Sequence, residues 1–417
     1  MFFVGGIATV LTVGAAWGAW LLWRIGAVGR FTGVPLQQVN AHGHAEVFGW
    51  VCLFVMGFAY QVFPSFWQRR LLAPRIVPVV FVTMLLGVGI RTAAMASTGA
   101  TWAIPAVVGG GALEIAAILT FTIQLGLTWR ASLARNQPYL PFVASSLVFF
   151  VIQAVFRLWH TVNTMSAGDR ATLLWYVATY QAVLRDLQIH GFVLFMVFGM
   201  SMQLLPRLFG VAEVTPRRAR IAWALLLGGV LGEVTFFLLY RFTGRHVLAA
   251  LLLVPWVTLS TGALSIATVF RPWRAFPRAD RSAKYVRAGY LWLAVSFALL
   301  LLLPLYQAAV GLPFSHAYYG SIRHAVTVGF ASQMILGIAA RVVPDLCGAR
   351  TATSAPLWGP FLLLNTGCFL RVTLQAATDL HPVFFTVIGV SGLLELAALA
   401  GWSAHLIRLM VMPANSG

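Results

Sequence analysis

Histidine is the residue type in this 417-residue chain whose number and placement could support metal chemistry. A neutral imidazole is a good ligand for copper, for iron and for the iron of a haem. All of the histidines except His405 are predicted to lie at one end of apolar helices or in the loops at that end. The sequence therefore predicts a layer of candidate ligands at one level. The nine are His42, His44, His160, His190, His246, His316, His324, His381 and His405.

Two of these histidines occupy matching positions in similar stretches of sequence. His44 lies five residues before a glycine in HGHAEVFG, and His324 lies five residues before a glycine in RHAVTVGF. Two such imidazoles could approach one iron from opposite faces, so we predict both as axial haem ligands. His42 is rotated about 200° from His44 on a helix. It is expected either to serve a second centre or to lie in the membrane–water interface.

The composition predicts an integral membrane protein. Sixty per cent of the residues are hydrophobic and only 9% are charged, against about 25% charged in soluble domains. The formal charge of +18 comes from basic residues in short loops, so it does not indicate nucleic-acid binding. The three cysteines (Cys52, Cys347 and Cys368) show no zinc or redox spacing and are interpreted as small apolar residues.

A helix that spans the bilayer needs about 20 mostly apolar residues. Such runs predict about twelve transmembrane helices in an all-α fold. The first run has no basic region before it and a full spanning length, so we expect a bundle helix rather than a cleaved signal peptide. The predicted segments are 2–23, 42–63, 76–97, 102–126, 141–160, 187–206, 221–240, 247–269, 288–309, 322–343, 356–378 and 382–410.

Basic residues predict the orientation of these segments. Loops after even-numbered helices carry 17 arginines and lysines, and loops after odd-numbered helices carry 7. Cytoplasmic loops are enriched in basic residues. Both termini are therefore predicted to lie in the cytoplasm, which places the histidine layer near the opposite face.

An internal repeat organises the second, sixth and tenth helices. Their glycines and proline superpose without gaps when the chain is shifted by 142 and by 280 residues. We therefore predict one transmembrane domain, 1–417, built from three four-helix units near 1–130, 141–270 and 285–411. Some of the glycines (Gly49, Gly57, Gly329 and Gly337) are expected to leave room for a flat macrocycle or for a close helix. The superposed sets are Gly49, Gly191 and Gly329; Gly57, Gly199 and Gly337; and Pro64, Pro206 and Pro344.

Charged residues inside the apolar segments follow the same repeat. Arg91 and Arg371 are equivalent, and Glu233 takes their place in the middle unit. Charge at membrane depth is costly and is usually functional or paired. Two interpretations stay open: the arginines bind haem propionates, or they form salt bridges with Glu114 and Glu395 on the following helices.

The repeat is broken at the position of His44 and His324. Asp186 stands there in the middle unit, and His190 follows one turn later. We predict His190, with His42, as a candidate ligand of a second centre that holds haem or copper. Ordinary loop or interface roles are favoured for His160, His246 and His316.

The stretches QVNAHGHAEVFGWVCLFVMGFAYQVFP and RHAVTVGFASQMILGIAARV resemble the two histidine motifs of the NnrS family. The resemblance implies a bacterial inner-membrane protein that contains haem and copper and acts in the response to nitric oxide. It supports His42, His44 and His324 as metal-centre candidates. The predicted arrangement of three four-helix arcs also resembles the catalytic subunit of haem–copper oxidases, whose second and tenth helices supply low-spin haem ligands.

Three functions are compatible with this pattern. The first is a haem-binding protein of nitric-oxide tolerance, with nitric oxide or another small gas as its ligand. The second is a divergent nitric-oxide or oxygen reductase, which the absence of histidine from the seventh helix disfavours. The third is a transporter without a cofactor, which the buried charges suit and the threefold repeat does not. Whether the protein turns over a substrate is left open.

Overall fold

Long α-helices account for the architecture of the chain. The computed structural model describes residues 1–132, 137–347 and 355–411, and these ranges contain no β-strand. Two basic residues counted in the loops, Arg135 and Arg350, lie outside them. We number the long helices α1 (Phe2–Val28), α2 (Leu36–Phe66), α3 (Pro74–Ala96), α4 (Ala103–Arg130), α5 (Leu140–Met165), α6 (Arg170–Phe209), α7 (Pro216–Thr243), α8 (His246–Phe270), α9 (Ala283–Val310), α10 (His316–Leu346), α11 (Trp358–Ala377) and α12 (Val383–Val411).

The predicted all-α, multi-pass membrane fold is confirmed. Within the described ranges, eleven helices are long and apolar enough to cross a bilayer. The helix α11 lies where the sequence predicts a crossing at 356–378, but it is not among the eleven. The count of twelve crossings, like the orientation of the termini, stays a prediction.

The helices α2, α6 and α10 begin earlier than the predicted segments. The prediction used runs of apolar residues, which mark only the part of a helix that is suited to lipid. The polar residues before each apolar run continue the helical hydrogen bonding. At the start of α6, the Asp169 carboxylate accepts a hydrogen bond from the Thr172 backbone N–H at 2.9 Å. At the start of α10, the Ser315 hydroxyl accepts one from the Tyr318 N–H at 2.8 Å. Side-chain caps of this kind fix a helix start that hydropathy does not reveal.

An eight-residue π-helical segment lies within each of α2, α6 and α10. These segments are Ala45–Cys52, Leu187–Leu194 and Ala325–Ser332. Their starting positions differ by the same 142 and 280 residues that superpose the motif glycines. The residue immediately before each segment is a potential metal ligand, namely His44, Asp186 and His324. Because π-helical turns are rare and occur frequently at functional sites, their position singles out these three residues.

The chain divides into two compact units. The first comprises Met1–Gly6, Asn40–Leu204 and Ala212–Val269, and the second comprises Ile7–Val39, Leu205–Val211 and Phe270–Gly417. The three predicted four-helix repeats are defined by sequence offsets and stay a prediction.

Glycines bring helices close together at the positions that matter for the site. In the first unit, a methyl group added at Gly87 of α3 would lie 2.9 Å from Cγ of Glu114 on α4. In the second unit, a methyl group added at Gly367 of α11 would lie 2.7 Å from Cγ of Glu395 on α12. Both contacts are too short for any residue with a Cβ atom. The equivalent glycines therefore position the two carboxylates.

Three of the motif glycines lie against side chains of neighbouring helices. A methyl group would lie 2.8 Å from the α1 side chain that packs on Gly57. The corresponding distances to α9 side chains are 2.6 Å at Gly329 and 3.0 Å at Gly337. The contacted residues are Phe2, Trp292 and Tyr285. Of the two interpretations left open by the sequence, the close helix is the one that these glycines support.

Candidate histidine–carboxylate site

A chain of hydrogen bonds buried in the first unit links α2, α4 and α3. His44 Nε2 lies 2.7 Å from Glu114 Oε1, and Arg91 Nη1 donates to Glu114 Oε2 at 2.7 Å. All three side chains are fully buried. The second amino group of Arg91 donates to the Thr161 hydroxyl on α5 at 3.0 Å. Each oxygen of the carboxylate is thus matched by a different buried donor.

These hydrogen bonds determine which nitrogen of His44 can act as a metal ligand. The Arg91 guanidinium favours the ionised form of Glu114, and an ionised carboxylate only accepts hydrogen bonds. His44 therefore donates its Nε2 proton to Glu114, which leaves the lone pair on Nδ1. That atom is buried, and no hydrogen-bond partner for it exists among the described residues. Histidines that bind metals are commonly oriented by such a carboxylate on the other ring nitrogen.

A second buried arginine lies on α5, close to the hydrogen bonds of His44, Glu114 and Arg91. Arg157 is fully buried, and its Nη2 donates to the Asn40 carbonyl at 2.8 Å. Its Nε and Nη1 have no hydrogen-bond partner in the part of the chain that the structure describes. The neighbouring His160 is also buried, with Nε2 unpartnered on the same terms. A buried guanidinium without a carboxylate is costly, so this position is suited to an anionic group.

The middle helices α6 and α7 carry the second histidine–carboxylate pair. His190 Nδ1 lies 2.7 Å from Glu233 Oε1, and both side chains are buried. One ligand atom each of Asp186, His190 and Glu233 can be chosen so that all three lie within 4.8 Å of one another. Asp186, on α6, is half-buried. Of its three residues, Glu233 stands where the other predicted repeats carry arginine, and Asp186 stands where they carry histidine.

The third pair lies in the second unit, on α10 and α12. His324 Nε2 lies 2.6 Å from Glu395 Oε1, and these side chains are 19% and 10% exposed. Arg371 on α11 has an Nη1 atom that is buried and unpartnered within the described ranges. No ion pair between Arg371 and Glu395 is found there. The pair therefore repeats the His44–Glu114 contact, and its arginine leaves donor capacity unused.

The predicted site residues meet different outcomes. Arg91 forms the salt bridge with Glu114 that was one of its two interpretations, whereas Arg371 does not form the corresponding bridge. His44 and His324 lie in different compact units, so their binding to one iron stays a prediction. His42 is half-buried on α2, and its role as a ligand also stays a prediction.

Sequence reasoning missed three features of the site. The sequence suggested arginine partners for Glu114 and Glu395 and no partner for Glu233. In the structure each of these glutamates contacts a histidine. Arg157 was not singled out, although an arginine within the apolar segment 141–160 is as conspicuous as Arg91. His160, which was expected in a loop or an interface, is instead buried on α5, because the helix continues to Met165. The histidine–carboxylate contacts join residues 43 to 71 positions apart, a separation at which spacing carries no signal.

The fold and the site define a class: a multi-pass α-helical membrane protein whose apolar helices carry buried histidine–carboxylate pairs. The model of the NnrS family, described as NnrS protein, matches residues 1–413. Because this match covers essentially the whole sequence, the chain belongs to the NnrS family. No curated protein sequence matches it.

Proposed function

We propose that this protein binds haem in the bacterial inner membrane and acts in the response to nitric oxide. The observation that carries the proposal is the His44–Glu114–Arg91 hydrogen-bond chain, which directs a buried imidazole nitrogen, without a partner among the described residues, away from its carboxylate. Membership of the NnrS family supports the same function. Bound haem would supply an iron to which nitric oxide binds, since axial ligands and pocket polarity govern such binding.

His44 and His324 are the proposed iron ligands. Both imidazoles contact a glutamate through Nε2, and both immediately precede a π-helical segment. A carboxylate on one ring nitrogen fixes the tautomer and makes the other nitrogen a better ligand. The role of Glu114 and Glu395 in this proposal is therefore to orient imidazole, not to contact iron.

Arginines are the proposed partners of the haem propionates. In the first unit Arg157 offers two donors that have no partner in the described part of the chain, whereas most of Arg91 is already engaged by Glu114 and Thr161. In the second unit Arg371 offers its Nη1. An arginine binds a carboxylate through parallel hydrogen bonds, which are strongest where water is excluded. We therefore assign the propionate role to Arg157 and Arg371 before Arg91.

Visible spectroscopy of the purified full-length protein tests the proposal. The wild type is expected to show a Soret band, and His44→Ala and His324→Ala are each expected to lose haem or to change its spin state. Glu114→Gln is expected to retain haem with about 10- to 100-fold weaker affinity, as for other groups that orient a metal ligand. Arg157→Met is expected to lower the haem content with little change in band position.

His381→Ala is the matched control, because His381 is an exposed residue between α11 and α12. Its spectrum should equal that of the wild type. A wild-type protein without a Soret band would disprove haem binding. Unchanged spectra in both His44→Ala and His324→Ala would disprove the ligand assignment alone. For the physiological role, a deletion strain carrying His44→Ala should grow as poorly as the deletion strain when a nitric-oxide donor is added.

A second candidate function is reduction of nitric oxide. The group formed by Asp186, His190 and Glu233 favours it, because a reductase needs a second metal besides haem. Anaerobic consumption of nitric oxide by reduced protein, together with carbon-monoxide binding, would support this candidate. Haem that binds carbon monoxide while nitric oxide is not consumed would favour the first function.

A further inference from the structure

We infer that Asp186, His190 and Glu233 form a binding site for one divalent first-row metal ion. The inference does not rest on haem, and it differs from the second centre expected from the sequence because two of its three ligands are carboxylates. The first observation is geometric. One ligand atom from each side chain can be chosen so that all three lie within 4.8 Å of one another. Ligand atoms about 2.0–2.2 Å from a shared metal lie at most about 4.4 Å apart, so side-chain rotations of the three residues are needed to complete the site.

Burial makes this group different from an ordinary acidic surface cluster. Glu233 is 2% exposed and His190 is 7% exposed. Ionised carboxylates in an apolar environment are stable only when they are paired or bind a cation. The buried Glu233 carboxylate and the half-buried Asp186 carboxylate are the two acidic groups of the cluster. A divalent ion would neutralise both carboxylates and leave the imidazole neutral, which is the form that binds metals.

The charge at this position is reversed relative to the equivalent helices. Glu233 of α7 stands 142 residues after Arg91 of α3, at the position that also carries Arg371 on α11. In the first unit, Arg91 balances Glu114 directly. The middle helices have exchanged that arginine for a second acid. The exchange places a second carboxylate near that of Asp186, which is the kind of charge that a cation site requires.

Local backbone geometry supports the same conclusion. Asp186 is the residue immediately before the π-helical segment Leu187–Leu194, and His190 is the fourth residue within it. Glu233 lies within the regular helix α7. All three ligands are therefore held by helices rather than loops, which favours a preorganised site. The nitrogen and oxygen donors, without a thiolate, suit divalent manganese, iron, cobalt or zinc better than copper(I).

Manganese binding to the purified full-length protein tests the inference. After chelation and dialysis, Mn²⁺ is added, and the six-line signal of free Mn²⁺ is measured by electron paramagnetic resonance at room temperature. The wild type is expected to bind one Mn²⁺ per chain. Zn²⁺ should displace it, because zinc binds nitrogen and oxygen sites more tightly than manganese. Glu233→Gln and Asp186→Asn should each weaken binding at least tenfold.

Glu213→Gln is the matched control, because Glu213 is an exposed acid between α6 and α7 that lies outside the proposed site. It should bind Mn²⁺ within twofold of the wild type. Asp186→Asn keeps the test valid if Glu233→Gln does not fold, since Asp186 is half-buried. The inference would be overturned by a wild type that binds no Mn²⁺, by Glu233→Gln and Asp186→Asn binding Mn²⁺ as tightly as the wild type, or by Glu213→Gln weakening binding as much as they do.

Discussion

The ion pair between Arg91 and Glu114 gives the most direct energetic prediction. Both side chains are fully buried, and Arg91 contributes hydrogen bonds of 2.7 Å to Glu114 and 3.0 Å to Thr161. Replacing Arg91 by methionine keeps most of the side-chain volume but leaves the carboxylate without its cation. Breaking a buried ion pair from one side costs about 3–5 kcal/mol. The folded-to-unfolded ratio should therefore fall by about two to four orders of magnitude.

Because His44 also contacts Glu114, the loss of stability is expected near the lower end of the range, about 3 kcal/mol. The hydrogen bond between His44 and Glu114 remains in Arg91→Met. By taking up a proton, the imidazole can offset part of the negative charge that Glu114 then carries without its arginine. A second variant separates charge from packing. In Arg91→Met combined with Glu114→Gln both charges are gone, so the double variant should be more stable than Arg91→Met alone.

The assay is reversible unfolding in mixed detergent micelles, followed by tryptophan fluorescence, with the haem spectrum recorded on the same samples. Arg69→Met is the control, because Arg69 is exposed after α2 and its loss should change stability by less than about 0.5 kcal/mol. A loss below about 1 kcal/mol in Arg91→Met would refute the reasoning. So would a double variant whose loss equals the sum of the two single losses.

Two further predictions concern helix packing and capping. Gly229→Ala should destabilise the protein by about 1–3 kcal/mol, because the new methyl group would lie 2.8–3.0 Å from atoms of Leu259 that include its backbone. The adjacent Gly228→Ala meets no atom within 4 Å, so in the same unfolding assay it should be neutral or slightly stabilising. Asp169→Ala should weaken the start of α6, because hydrogen bonds from Thr172 lower the pKa of the Asp169 carboxyl below its usual value. That contribution is present above the unfolded-state pKa and is lost as the pH falls through the folded-state pKa, so the stabilities of the wild type and variant should converge in acid; a pH-independent difference would contradict it.

The fold class was predictable from sequence because lipid imposes a simple rule. Every backbone polar group in the bilayer must be bonded internally, so a long apolar run can only be a helix. The helix starts were less predictable. Arg170 begins α6 17 residues before the predicted segment at 187–206, and hydropathy does not record a side-chain cap such as that of Asp169.

The candidate site was predictable in its residues but not in its contacts. The repeat identified His44, His324, Arg91 and Glu233 as unusual, because matching offsets stand out against an apolar background. It did not identify Glu114 as the partner of His44. These residues lie 70 positions apart, and their contact depends on which faces of α2 and α4 meet.

The sequence by itself thus determined that the chain is a membrane protein, where its helices lie, and which polar residues are costly enough to need a purpose. Hydrophobic length and the cost of buried charge are local properties, so they can be read without knowing the fold. The tertiary structure decided how those polar residues combine. It paired His44, His190 and His324 each with a glutamate and gave Arg91 an acidic partner. It left donors of Arg157 and Arg371 unpartnered within the described residues. It also brought Asp186 close to His190 and Glu233. Such pairings depend on which helix faces meet, and only packing fixes that.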